Sequence, residues 1–120
     1  MLTVTASRVI LARINQMLQE LTEDNLAELI GQQPLAFVLY SAAWCGNCRI
    51  MKPKFKKFSN ELQNVPFFVV DSEKFPESRK LANVDNLPTF ASFKNGKNSG
   101  QVQTNKTDVL KSFIYETSAD

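Results

Sequence analysis

The chain has 120 residues, 43% of them hydrophobic, with 14 Lys and Arg against 12 Asp and Glu, no histidine, and a formal charge of +2. That is enough apolar material for one domain with a single core, without disulfide staples. It is too little charge to point to nucleic acid. No histidine means no Cys–His or Ser–His nucleophile within the chain, and no apolar run is long enough to span a membrane.

Residues 1–17 read as an N-terminal extension and 18–120 as the domain. Val9, Ile10, Arg13, Ile14 and Met17 recur at helical spacing, predicting an amphipathic helix from about Ala6 to Met17. Arg8 and Arg13, with no acidic residue before Glu20, also give this segment the charge of an organelle transit peptide. Val9 to Ala12 is too short for the apolar core of a secretory signal. Thr22 is placed to cap a helix running to Ile30, which Gly31 ends. Pro34 precedes an apolar run, Leu35 to Tyr40, that reads as a strand buried on both faces.

A helix is expected from Cys45 to about Leu62, kinked at Pro53. Val65 to Asp71 is the next strand, parallel to the first because a helix makes the crossover. Phe75-Pro76-Glu77 opens a short helix through Ala82, and Thr89 to Lys94 is a third strand. Asn95-Gly96 marks a tight hairpin turn, with Gln101 to Gln103 returning. A last amphipathic helix, Lys106 to Glu116, directs Val109, Leu110, Phe113 and Ile114 at the sheet.

The two cysteines, in Ala43-Trp44-Cys45-Gly46-Asn47-Cys48, sit where an apolar strand stops and a helix begins. One helical turn brings their sulfurs within bridging distance, and the first thiol lies at a helix N-terminus, where free N–H groups and the helix dipole favour the thiolate. That is the arrangement of a redox dithiol. Structural zinc needs four ligands, so two cysteines without histidine serve it only with a partner chain or carboxylates. A c-type haem needs a histidine where Arg49 stands. An inert disulfide closing so short a loop adds little stability. The basic residues Arg49, Lys52, Lys54, Lys56 and Lys57 follow the pair, either as a solvated helix face or as a field favouring the thiolate and acidic partners. With both cysteines committed to the motif, the reducing cytosol is the expected compartment.

Trp44-Cys45-Gly46-Asn47-Cys48, Pro53 five residues on, Leu87-Pro88-Thr89-Phe90 and Phe93-Lys94-Asn95-Gly96, in this order, closely resemble the thioredoxin family from about Leu18 to Glu116. The resemblance implies an α/β thioredoxin fold, a central mixed sheet flanked by helices, preceded here by the helical extension. It implies a cis peptide at Leu87-Pro88 facing the cysteines, leaving a backbone edge on which a substrate chain can pair as an extra strand. It implies protein-disulfide oxidoreductase activity: Cys45 attacks a substrate disulfide and Cys48 resolves the mixed disulfide. Trp44, Gly46, Asn47, Leu87, Pro88 and Thr89 would then meet the substrate. No cofactor or metal is implied. The implied partners are disulfide-containing proteins and an upstream reductase of unspecified type, met by a monomer that binds neither nucleic acid nor membrane.

Three departures stand out. Asn47 replaces the proline that the family usually places before the second cysteine, restoring an N–H and adding an amide near the thiolate. Leu39 stands where the family keeps a buried aspartate thought to deprotonate the second cysteine, and Val69 where some members place a lysine, so both members of a buried polar pair are apolar. The last substrate-facing loop, near Gln103-Thr104, is one residue shorter and lacks the family's Gly-Ala. Two other readings stay open: a more oxidising, isomerase-like or glutaredoxin-like catalyst, suggested by Asn47, and a non-catalytic redox-sensitive interaction module.

Overall fold

The computed structural model describes residues 18–119; the helix expected over Ala6 to Met17 lies outside them. The elements are β1 (Gln19–Glu20), α1 (Leu26–Ile30), β2 (Leu35–Ser41), α2 (Gly46–Glu61), β3 (Phe67–Asp71), α3 (Pro76–Arg79), β4 (Thr89–Lys94), β5 (Lys97–Gln103) and α4 (Thr107–Ala119). The strands form one mixed sheet in the order β1-β3-β2-β4-β5. β1 and β2 run parallel to β3, while β4 is antiparallel to β2 and to β5. Residues 36–40 of β2 are fully buried, because both faces of the sheet are covered.

Strand alternation divides the core into two layers. Ala36, Val38, Tyr40, Phe68 and Val70 face one side with Leu26, Ile30 and Val84. Phe37, Leu39, Phe67 and Val69 face the other with Met51, Phe55 and Phe58 of α2 and Leu110 and Ile114 of α4. Phe55 anchors the second layer, its ring 4.8 Å from Phe67 and 5.4 Å from Phe90 between centroids.

The structure corrects the expected elements at several points. Thr22 caps nothing: α1 starts at Leu26, preceded by Asn25, with no side-chain cap from that residue. Its cap comes from far along the chain. Ser78 Oγ accepts the Leu26 N–H at 3.1 Å, while Asp24 accepts the N–H groups of Ser78 and Glu77 at 2.7 and 3.0 Å. Two helices too short to stand alone therefore exchange caps across more than fifty residues of sequence. β1 was not expected; it is two residues long, too short to show a period, and is held parallel to β3. α3 ends at Arg79, short of Ala82, whereas α2 carries Pro53 inside it as expected. β5 begins at Lys97, well before Gln101, where it pairs with Lys94 of β4; its first residues are polar and exposed, so no apolar alternation marks them. In α4 the buried stripe is Leu110 and Ile114 with Phe113 half-buried, whereas Val109 is 36% exposed, one residue off the i, i+3, i+4 pattern.

The hairpin turn forms as expected. Asn95 and Gly96 have φ of 54° and 83°, the left-handed values of the tight turn whose twist matches its strands. A Cβ at residue 96 would also come within 3.2 Å of the Gly31 Cα, so glycine serves both backbone conformation and close approach.

Candidate active site

The cysteine pair lies at the C-terminal end of β2, where the chain turns from the central strand into α2. Cys45 is the N-cap of α2, and its sulfur accepts the Cys48 N–H at 3.1 Å. The two residues form a disulfide with Cα atoms 5.3 Å apart. A sulfur that serves as a helix cap receives an otherwise unpaired N–H together with the positive end of the helix dipole. When the bond is reduced, both favour the thiolate at Cys45. Cys48 lies one turn further in and is 3% exposed; Cys45 is 5% exposed.

Around the pair, the loop before β4 closes in. The Leu87-Pro88 peptide is cis, and Leu87 packs on the cluster of Ala42, Cys45 and Cys48. Pro88 and Thr89 are buried, and the Thr89 hydroxyl donates to the Asn86 carbonyl at 2.5 Å, so its side chain braces this loop and points no group at solvent. Further back, Arg79 donates to the Val84 carbonyl at 2.8 Å. The Gln101 amide holds both backbone groups of Asn83, at 3.0 and 2.7 Å. These clamps were not visible in the sequence, since each joins a polar side chain to a backbone group in another segment.

On the outer side the site is open and apolar. Trp44 is 66% exposed and Ile50 59%, Gly46 and Asn47 are exposed, and a Cβ at Gly46 would meet nothing within 4 Å. Ile50 was absent from the residues expected here. It adds a second exposed apolar side chain on the first turns of α2, after Trp44.

Behind the pair, Leu39 and Val69 stand opposite each other in the β2–β3 register, 0% and 4% exposed, packed with Met51, Phe55 and Phe90. The basic run after Cys48 divides. Arg49 donates to the Ala43 carbonyl at 3.1 Å, Lys52 pairs with Glu20 at 2.6 Å, and Lys54 donates to Thr107 Oγ1 at 2.6 Å, while Lys56 and Lys57 are exposed. Among the described residues no group of three or more His, Cys, Asp or Glu is arranged to hold a metal ion, and no helix is long and apolar enough to cross a membrane.

Comparison with known proteins agrees with this geometry. The thioredoxin family model matches residues 17–116. Thioredoxin-1 of Schizosaccharomyces pombe is 36% identical over 69 residues, 58% of this chain and 67% of that protein. Thioredoxin of Sus scrofa is 33% identical over 84 residues, 70% of this chain and 80% of that protein. Among solved structures, thioredoxin of Plasmodium falciparum superposes with a TM-score of 0.77 at 26% identity, covering 82% of this chain and 97% of that one. The mixed sheet, the cis-proline loop and the Cys45–Cys48 couple at the head of α2 place the chain in the thioredoxin family, as a thiol–disulfide oxidoreductase.

Proposed function

We propose that the protein reduces disulfides in other proteins with Cys45 as the attacking thiolate and Cys48 as the resolving thiol. The observation that supports this most directly is the Cys45 sulfur acting as the N-cap of α2. The Cys45 thiolate attacks one sulfur of the substrate disulfide, forming a mixed disulfide and expelling the first substrate thiolate. The Cys48 thiolate then attacks the Cys45 sulfur, the bond from Cys45 to substrate breaks, and the second substrate thiolate leaves. Two electrons pass from the dithiol to the substrate, and an upstream reductase restores them.

The exposed face of Trp44, Gly46, Asn47 and Ile50 supports docking of an apolar substrate segment. The backbone at Leu87, before the cis proline, would receive that segment as an added strand, with Pro88 and the buried Thr89 holding the loop in place. The protein acts as a single chain in the reducing cytosol, a reading supported by the commitment of both its cysteines to the couple.

Turnover of insulin with dithiothreitol tests the activity. A catalyst accelerates precipitation of the insulin chains at substoichiometric protein, and an interaction module does not. Alkylation of the reduced protein at neutral pH tests the roles: Cys45 reacts first, and Cys48→Ser accumulates mixed disulfides with substrate. Preferential labelling of Cys48 reverses the assignment.

A further inference from the structure

The resolving step needs Cys48 as a thiolate, since the thiol does not attack. Burial among apolar groups raises a thiol pKa, and Cys48 sits against Ala42, Cys45 and Leu87. The chain has no histidine to take the proton, and the layer directly behind the couple is the apolar pair Leu39 and Val69. A different acceptor must stand within reach through solvent.

Cys48 is open on one side. It lines a cavity of 610 Å³ at the C-terminal ends of β2 and β3. The charged groups facing that space are Glu20 from β1, Arg49 and Lys52 from α2, Asp71 at the end of β3, and Lys74 from the turn that follows; β2 contributes only Ser41, with Ala42 and Ala43 after it. Glu20 is engaged by Lys52 at 2.6 Å. Asp71 uses Oδ1 to accept the N–H groups of Glu73 and Lys74, at 3.0 and 3.1 Å, which leaves Oδ2 for solvent.

The strand register gives Asp71 its position. Ser41 pairs with Asp71 one step beyond Tyr40 and Val70, and two residues beyond Leu39 and Val69. Alternate residues of a strand share a face, so Asp71 lies on the same side of the sheet as Val69, displaced toward the dithiol end. The cavity is large enough for several waters at about 30 Å³ each, and its polar lining supplies their partners.

We propose that Asp71 is the proton acceptor for Cys48 in the resolving step, acting through water in this cavity. Cys48 gives its proton to a cavity water, which passes one to the Asp71 carboxylate. The Cys48 thiolate attacks the Cys45 sulfur, and the electron pair of the Cys45–substrate bond leaves with the substrate thiolate. The proton held by Asp71 returns through water to solvent or to the departing thiolate. The carboxylate lost at position 39 is thereby replaced by one at the wet end of the neighbouring strand. This rests on the assignment of Cys48 as the resolving thiol.

The test is two-phase release of thionitrobenzoate when reduced protein is mixed with Ellman's reagent. The first phase depends on reagent concentration and reads attack by Cys45; the concentration-independent second phase reads resolution by Cys48. In Asp71→Asn the amide oxygen still accepts the Glu73 and Lys74 N–H groups, so the turn is kept while the base is lost. At pH 7 the second phase slows by about tenfold or more, the first phase is unchanged, and the two proteins converge at high pH, once the thiol ionises unaided. Asp71→Glu recovers part of the rate at pH 7. An unchanged or faster second phase in Asp71→Asn overturns the proposal; acceleration is what simple removal of a negative charge beside a thiol would give. Slowing by the same factor at every pH also overturns it, since misplaced structure acts at all pH values. The underlying assignment has its own readout: Cys48→Ser must lose the second phase, and its persistence sinks that assignment whatever Asp71 does.

Discussion

Leu39→Asp places a carboxyl in the buried core, and its effect on stability should depend steeply on pH. Leu39 is 0% exposed, and its partners across both strand pairings, Val69 on β3 and Phe90 on β4, are apolar. Removing an enclosed leucine costs about 2–5 kcal/mol, part of which the aspartate's own volume offsets. Burying a neutral carboxyl without a partner adds about 1–3 kcal/mol, so the loss near pH 4 is about 4 kcal/mol. A fully buried carboxyl has its pKa raised by roughly 3 units or more. The folded form then holds the proton more tightly than the unfolded form, and stability falls as pH rises, by about 1.4 kcal/mol per unit between the two pKa values. At pH 7 the loss reaches about 8 kcal/mol, comparable to the whole stability of an ordinary domain at about 5–15 kcal/mol. Urea midpoints at pH 4, 5.5 and 7 measure this, with Leu39→Asn as the uncharged control whose loss is the same at each pH. Equal losses at pH 4 and 7 for Leu39→Asp would refute the reasoning, because they would mean that water reaches position 39.

Asn47→Pro removes one N–H at the second position of α2. The Cys45 sulfur accepts from the Cys48 N–H; if the Asn47 N–H adds a second bond to the thiolate on reduction, its loss, about 1.5–3 kcal/mol, makes the couple more reducing by about 30–60 mV, and an unchanged equilibrium with glutathione excludes Asn47 as the cause. Burial pushes the Asp24 carboxyl up, but hydrogen bonds from the Ser78 side chain and the Glu77 and Ser78 amides, with the charge of Lys80, hold it below its ordinary 3.8. Its caps on α3 therefore contribute fully above about pH 4 and are lost as pH falls through the lowered value. Asp24→Ala should melt lower than the parent at pH 7 and at the same temperature near pH 2, and a deficit that persists in acid would contradict this. Gly96→Ala places a side chain at φ of 83° against Gly31. It should cost about 1–2 kcal/mol in urea unfolding without changing the alkylation rate of Cys45, which lies at the other end of the sheet.

Much of the molecule could be read without its structure, for reasons that are local. Cys45 and Cys48 are one helical turn apart, and Asn95-Gly96 can take the left-handed angles that a two-residue hairpin requires. The unbroken apolar run of β2 announces a strand covered on both sides. Each of these depends on residues whose geometry follows from their own chemistry and immediate neighbours. The exchange of a buried polar pair for Leu39 and Val69 was legible only through the resemblance to the family, whose motifs align those two positions.

Where the reading failed, the deciding interactions join distant segments. Thr22 had the right chemistry to cap α1, yet the cap is Ser78, and Asp24 serves α3 instead. β1 has two residues and no pattern of its own; it exists because β3 offers a free edge. Asp71 was placed correctly at the end of its strand, but its facing a cavity shared with Cys48 depends on the register of β3 against β2 and on the approach of β1. The sequence by itself determined which groups can carry electrons and where strands and helices can form, since those follow from side-chain chemistry and short-range periodicity. Only the tertiary structure decided which polar groups meet one another and which face water, because hydrogen bonds and cavities form between surfaces that the fold alone brings together.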